Sequence, residues 1–83
     1  MKFLTILLLS ITLALATVDI NNATAKDFTS LKGIGAKKAE AIVKYRDSVK
    51  CFKSIDELTN VKGIGNKTIS KNKSDLKLGK CIK

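Results

Sequence analysis

A short glycine-containing segment occurs twice in this 83-residue chain and constrains its fold more than any other feature. Residues 31–37 read LKGIGAK, and residues 61–67, thirty positions later, read VKGIGNK. Self-similarity at a fixed offset indicates that one small supersecondary unit is present in two copies. We therefore expect the two segments to adopt the same local structure.

Each repeat is preceded by a pattern that begins a helix. Thr24 and Ser54 supply a hydroxyl, and an acidic residue, Asp27 or Glu57, follows three positions later. This spacing predicts a capping box, in which a side chain and the backbone exchange hydrogen bonds. Apolar residues then recur at three-residue steps, which predicts one buried face of a short helix. These residues are Ala25, Phe28, Leu31, Ile55, Leu58 and Val61.

The Gly-Ile-Gly triplets predict sharp turns between two helices. Glycine adopts positive φ without steric cost, so one helix can end and another can begin within a few residues. The central isoleucine, Ile34 or Ile64, is then expected to point into the core. The sequence thus predicts an all-α fold made of two tandem helix-hairpin-helix motifs in a compact, SAM-like bundle.

The helices that close the two hairpins differ in apolar content. After the first hairpin, Ala39, Ile42 and Val43 predict the buried stripe of a helix that runs to about Val49. Its basic residues are expected mostly on the solvent side, namely Lys37, Lys38, Lys44 and Arg46. After the second hairpin, Asn72 stands where Ile42 stood. The second closing helix is therefore expected to be shorter and less apolar.

The composition points to an anionic partner and away from catalysis. The chain carries 16 Lys and Arg against 7 Asp and Glu, and it contains no His and only two Cys. Zinc clusters and His-dependent nucleophilic catalysis are thereby disfavoured, and the scattered carboxylates disfavour a metal-dependent nuclease. We expect no enzymatic activity, cofactor, metal site or small-molecule substrate. Few aromatic residues are available to stack on single-stranded bases, so duplex DNA is the better candidate.

The N-terminal segment has the features of a secretion signal. A positive start, an apolar run and the small-x-small pattern ending at Ala16 predict a signal peptide over residues 1–16 that is cleaved there. An uncleaved anchor is the alternative, but the run falls short of the ~20 residues that span a bilayer. We expect a DNA-binding domain over 17–76, a tail over 77–83, and no stable membrane insertion after cleavage.

Export would place the two cysteines in an oxidising compartment. Cys51 and Cys81 can then form a disulfide, since only one intramolecular pairing exists. The alternatives are two free thiols or an intermolecular bond. The bond would fold the tail back onto the junction between the two hairpins and stabilise a domain of this small size.

The start of each closing helix is a candidate phosphate site. Backbone amides there have no intrahelical partner, and the helix dipole leaves partial positive charge. Glycines allow a phosphate to approach, so a branched residue at Gly35 or Gly65 would obstruct it and strain the turn. Such contacts read no base, so binding should be indifferent to sequence. The predicted DNA-binding residues are Lys32, Gly33, Ile34, Gly35, Lys37, Lys38, Lys62, Gly63, Ile64, Gly65, Asn66 and Lys67.

From Val18 to about Leu76, the chain resembles the DNA-binding domain of the ComEA family, the extracytoplasmic receptors that capture DNA during natural transformation. The matching text comprises residues 18–24, 31–39, 42–46, 52–58 and 61–68. The resemblance implies phosphate contacts at Gly33, Gly35, Lys37, Lys38, Gly63, Gly65 and Lys67. It also implies a periplasmic receptor whose partners are double-stranded DNA and components of a DNA-uptake channel.

The chain departs from the family pattern at three places. Cys51 stands where Gly or Pro is usual, Asn72 replaces an apolar residue, and the tail with Cys81 lies outside the pattern. Some helix-hairpin-helix modules bind proteins instead of DNA. The alternative function is therefore an extracytoplasmic module that binds an acidic protein partner.

Overall fold

The predicted helical fold is confirmed by a computed structural model that describes residues 17–81. Short helices are joined by tight turns, and two-residue strands lie near the two ends of the described range. In chain order the elements are β1 (Val18–Asp19), α1 (Ala25–Phe28), α2 (Ala36–Val49), a first 3-10 helix (Ile55–Asn60), α3 (Asn66–Asn72), a second 3-10 helix (Lys73–Asp75) and β2 (Leu76–Lys77). The strand pair was not expected from the sequence.

The first capping box is confirmed. The Asp27 backbone N–H donates to Thr24 Oγ1 at 3.1 Å, and the Thr24 N–H donates to Asp27 Oδ2 at 3.0 Å. The backbone N–H and then the hydroxyl of Thr24 hold the pKa of Asp27 below its ordinary value. The Thr24 box therefore fixes where α1 begins.

The prediction of a second capping box is wrong. Ser54 makes no side-chain cap, and the Glu57 carboxylate instead accepts from the Lys53 N–H at 2.7 Å. The Glu57 N–H donates to the Ser54 carbonyl at 3.2 Å, so this segment winds as a 3-10 helix. The Glu57 carboxylate thus binds the backbone N–H of Lys53, one residue before the expected partner Ser54.

The closing helices differ as the sequence predicted. Helix α2 has 14 residues and buries Ala39 and Ile42 completely, whereas α3 has 7 residues. Val43 is half-buried against the core. A helix of two turns contributes less apolar surface than one of four, so α3 depends more on its contacts with the rest of the chain.

Arg46 was wrongly expected on the solvent side of α2. It is buried, and its Nη1 donates to the carbonyls of Ile20 at 3.0 Å and Ala23 at 2.8 Å. Its guanidinium lies over the ring of Phe28, 5.9 Å from the centroid. Arg46 follows Ala39 by seven positions and so shares its face of the helix. These two carbonyls replace part of the water that a buried guanidinium needs, while its Nε has no hydrogen-bond partner.

Both units contribute to one hydrophobic core. Ile34 and Ile64, the central residues of the two triplets, are buried as predicted. The buried apolar residues are Val18, Ile20, Ala23, Phe28, Leu31, Ile34, Ala39, Ile42, Phe52, Leu58, Val61, Ile64 and Ile69. Because this set spans both repeats, the two hairpins are held together by shared apolar burial.

The start of the described range and the tail lie side by side. Strands β1 and β2 are parallel, with Val18 opposite Leu76. The buried Asn21 accepts from the Phe52 N–H at 2.7 Å and donates to the carbonyls of Phe52 at 3.1 Å and Gly79 at 2.9 Å. Asn21 thus connects the first segment, the junction between the repeats, and the tail.

The Asp19 carboxylate holds the same region together. Burial raises its pKa, but hydrogen bonds from the Asn22 side chain and the N–H groups of Asn21 and Gly79, with the charge of Lys77, lower the pKa below its ordinary value. The N–H bonds measure 3.0 Å from Asn21 and 2.9 Å from Gly79. The ionised form of Asp19 is therefore the one that stabilises the fold.

The two cysteines are brought together. Cys51 and Cys81 have Cα atoms 5.6 Å apart, with their Sγ atoms in contact. That separation is within the range of a disulfide. The expected return of the tail to the junction between the hairpins is present.

Residues 1–16, the predicted signal peptide, lie outside the described residues. Between residues 17 and 81, none of the helices is both long and apolar enough to cross a membrane.

Candidate nucleic-acid interface

The two hairpins have the same backbone geometry. Gly33 and Gly63 adopt left-handed φ values of +78° and +92°. Gly35 and Gly65 are extended, with φ of −92° and −113°, and they are the N-caps of α2 and α3. Positive φ is therefore required only at the first glycine of each triplet. The prediction that side chains at Gly35 and Gly65 would strain the turn is wrong.

Matching hydrogen bonds close the two turns. The Ile34 N–H donates to the Leu31 carbonyl at 3.3 Å, and the Ile64 N–H donates to the Val61 carbonyl at 3.0 Å. The first helical bonds run to the Gly35 and Gly65 carbonyls, at 2.9 and 3.2 Å. The amides of residues 36–38 and 66–68 precede those bonds, so they lie where helical N–H groups have no intrahelical acceptor.

Exposure also follows the repeat. Positions 31–40 and 61–70 have the same order of buried, half-buried and exposed residues. Among the predicted DNA-binding residues, those exposed to solvent are Lys32, Gly33, Gly35, Lys37, Lys62, Gly63, Gly65, Asn66 and Lys67. Lys38 is half-buried, and the side chains of Ile34 and Ile64 lie in the core. The isoleucines therefore anchor the hairpins from within.

The surface at the second glycine of each triplet is open. A methyl group at Gly35 or Gly65 would meet no heavy atom within 4 Å. The fold therefore does not need glycine there for reasons of packing or backbone conformation. Open space beside amides at a helix N-terminus is what an incoming phosphate needs.

Lys38 shows that the two hairpins lie next to each other. Its Nζ donates to the Gly33 carbonyl at 3.4 Å, and its Cε lies 3.4 Å from the position that a Cβ on Gly63 would occupy. One side chain thus lies beside the first glycine of both triplets. Part of the Lys38 charge is directed to the protein, whereas Lys37 and Lys67 extend into solvent.

Asn72 is a residue of the hairpin region whose role the sequence did not reveal. Its side chain is only 1 % exposed. Its Oδ1 accepts from the Lys32 N–H at 2.8 Å, and its Nδ2 donates to the carbonyls of Lys32 and Thr68, both at 2.9 Å. An asparagine on the buried stripe was the available signal, but its partner on the other repeat could not be read from spacing.

The hairpins offer anion binding through backbone amides and lysines. The carboxylates with lowered pKa, Asp19 and Asp27, are engaged in the tail contacts and the first helix cap. Throughout the described range, Cys, Asp and Glu side chains do not gather in groups of three that could hold a metal ion.

Comparison with known proteins identifies the same motif. The helix-hairpin-helix motif family matches residues 14–77. ComE operon protein 1 of Bacillus subtilis is 43% identical over 61 residues, which cover 74% of this chain and 30% of that protein. An uncharacterized protein of Haemophilus influenzae is 51% identical over 57 residues, 68% of this chain and 51% of that protein.

A more distant match is endonuclease/exonuclease/phosphatase family domain-containing protein 1 of Danio rerio, 38% identical over 48 residues, 58% of this chain and 9% of that protein. This chain spans about half, or less, of the length of these relatives. The similarity therefore concerns the hairpin domain. With the family match covering both repeats, this chain belongs to the helix-hairpin-helix motif family and is of the ComEA type.

Proposed function

We propose that this protein binds double-stranded DNA without sequence preference and serves as an extracytoplasmic receptor for DNA uptake. The observation that carries the proposal is the pair of hairpins with equal geometry and equal exposure, joined at Lys38. Each hairpin offers an open helix N-terminus with an exposed lysine beside it.

Phosphate oxygens are the proposed ligands of each hairpin. They would accept hydrogen bonds from the amides after Gly35 and Gly65, where the helix dipole adds positive charge. Lys37 and Lys67, both exposed, would neutralise the same phosphates from the side. Because phosphate contacts position a protein without reading bases, unrelated duplexes should bind alike.

Two adjacent hairpins favour a duplex over a single strand. A duplex presents two phosphate backbones at a fixed separation across the minor groove, and each hairpin can take one. Once the first hairpin is bound, the second hairpin meets its phosphate backbone at a high effective concentration, provided that the spacing of the hairpins allows both to bind. The net charge of +9 adds long-range attraction to DNA.

The proposed location rests on the signal-like residues 1–16 and on the proximity of Cys51 and Cys81, which suits an oxidising compartment. The similarity to ComE operon protein 1 supports a role in DNA uptake, with components of an uptake channel as further partners. Catalysis, cofactors and small-molecule substrates have no part in the proposal. Cell fractionation tests the location: we expect periplasmic protein whose mass corresponds to cleavage after Ala16.

Salt titration tests the binding function. Fluorescence anisotropy with two labelled duplexes of equal length and unrelated sequence should give similar affinities. Each affinity should fall with salt on a log–log slope of about −0.9 per phosphate neutralised. Salt-independent binding, or strong preference for one duplex, would contradict the proposal. Equal competition by an acidic polypeptide of the same charge would favour the acidic-protein alternative.

A further inference from the structure

Asn72 is a buried amide at a position where the other repeat has an apolar residue. Thirty positions earlier stands Ile42, which is completely buried. The Asn72 side chain lies among apolar residues of the core, including Phe28, Leu31 and Ile69. Burying an amide costs free energy unless its polar atoms are bonded. An aliphatic residue here would bring no such cost, so the value of Asn72 lies in its hydrogen bonds.

Those hydrogen bonds cross from one repeat to the other. Asn72 ends α3, the closing helix of the second unit, yet it binds both the N–H and the carbonyl of Lys32 in the first unit, at 2.8 and 2.9 Å. Its third bond, to the Thr68 carbonyl at 2.9 Å, fixes the amide on its own helix. Lys32 directly precedes Gly33, where the chain turns with positive φ. The second unit therefore holds the backbone of the first hairpin.

The first repeat has no equivalent of the hydrogen bonds that Asn72 makes to the other hairpin. Ile42 has no polar group with which it could bind the backbone of Lys62, the counterpart of Lys32. A different residue, Lys38, has its stem beside Gly63 and donates from its ammonium to the Gly33 carbonyl. Asn72 and Lys38 thus join the hairpins by unlike contacts, and of the two only Asn72 is fully withdrawn from solvent.

We propose that Asn72 is a positioning residue, which sets the orientation of the first hairpin so that both hairpins reach phosphates of the same duplex. This inference rests on the proposed DNA-binding function. Asn72 does not touch the DNA; it acts through the Lys32 backbone. Loss of its bonds would leave each hairpin able to bind a phosphate but would disturb their spacing, and bivalent binding depends on that spacing.

The variant Asn72→Leu tests the proposal, because leucine has the same branching of heavy atoms but cannot bind the Lys32 backbone. We expect a folded protein whose affinity for duplex DNA is weaker by roughly tenfold, with a salt slope less negative by about 0.9 for each phosphate lost. The matched control is Ile42→Leu at the corresponding position, which removes no hydrogen bond and should change neither quantity. Unchanged affinity and slope in a folded Asn72→Leu would overturn the proposal.

Double-mutant cycles test whether Asn72 acts through the spacing of the hairpins. Gly35→Val blocks the first hairpin and Gly65→Val blocks the second. A protein with one blocked hairpin no longer depends on the spacing, so Asn72→Leu should weaken binding little further in either glycine variant, and its effect should not add to theirs. Additivity with both glycines would mean that Asn72 does not act through bivalent binding.

Hydrogen exchange in the unmodified protein gives a test that needs no variant. The Lys32 amide, bound to Asn72 Oδ1, should be as well protected as the Ile69 amide within α3. Rapid exchange at Lys32 would overturn the positioning role, whether or not the protein binds DNA. Conversely, protection at Lys32 without salt-dependent binding to duplexes would mean that the proposed function, and not the contact, is wrong.

Discussion

The variant Gly35→Val separates DNA binding from folding. Gly35 has φ of −92° and ψ of −172°, an extended conformation that valine readily adopts. A Cβ there meets no heavy atom within 4 Å, so the fold accommodates the side chain. Valine is a poorer N-cap than glycine, which we expect to lower the free energy of unfolding by about 1 kcal/mol or less.

The effect of Gly35→Val on binding should be much larger. The isopropyl group would stand beside the amides that are expected to hold a phosphate. Hydrogen bonds to a charged group contribute about 1.5–3 kcal/mol. Loss of that contact corresponds to a roughly ten- to hundredfold weaker affinity, since each 1.4 kcal/mol is about tenfold.

Two measurements on matched variants decide the question. Anisotropy with a labelled duplex gives the affinity, and thermal unfolding gives the stability. Gly33→Val is the comparison, because φ of +78° penalises an L-residue by about 1–2 kcal/mol, so this variant should lose stability as well as affinity. Likewise, Lys37→Ala should weaken binding more than Lys77→Ala, although each removes one charge. Wild-type affinity in Gly35→Val, or equal losses for both lysines, would mean that the hairpin amides do not hold a phosphate.

Four further outcomes are expected. Replacing Cys51 and Cys81 by serine should lower the free energy of unfolding by roughly 3–4 kcal/mol in denaturant titrations, and two alkylatable thiols in periplasmic protein would contradict the disulfide. Lys50→Gly should raise stability by about 1 kcal/mol, because Lys50 has φ of +79°; an unchanged midpoint would argue against strain there. Because the pKa of Asp19 is lowered from its ordinary value of 3.8, its ionised carboxylate stabilises the fold at pH values above 3.8, and this contribution is lost as the pH falls through the lowered pKa. Asp19→Asn should remove that part of the acid dependence of stability, and an unaltered pH profile in this variant would contradict the role of Asp19. Amides of α3 should exchange faster than those of α2, whereas uniform protection would show that the second helix is equally stable.

Local features of the fold could be predicted from the sequence because they depend on residues close together in the chain. The Gly33 and Gly63 turns follow from the conformational freedom of glycine, and the Thr24 cap follows from a hydroxyl three residues before a carboxylate. The duplication doubled the signal for the turns, whereas the repeated cap signal at Ser54 and Glu57 did not produce a capping box. Burial of Ile34 and Ile64 followed from the same register.

Contacts between distant segments could not be predicted. The charge of Arg46 predicts a position in solvent, but in the interior its Nη1 donates to two backbone carbonyls of the N-terminal segment. The sequence pattern predicts only a loss of apolar burial at Asn72, because its hydrogen-bond partner Lys32 lies forty residues away. The parallel pairing of Val18 with Leu76 likewise involves two strands too short to give a periodic pattern.

The proposed function requires that backbone amides of both hairpins hold the phosphates of one duplex. These contacts can be observed by titrating 15N-labelled protein with a short duplex and following each amide by NMR. We expect the largest shifts on residues 35–38 and 65–68, and the same pattern with a duplex of unrelated sequence. Shifts confined to one hairpin, or spread over exposed lysines such as Lys44 and Lys53 with the hairpin amides unmoved, would contradict it.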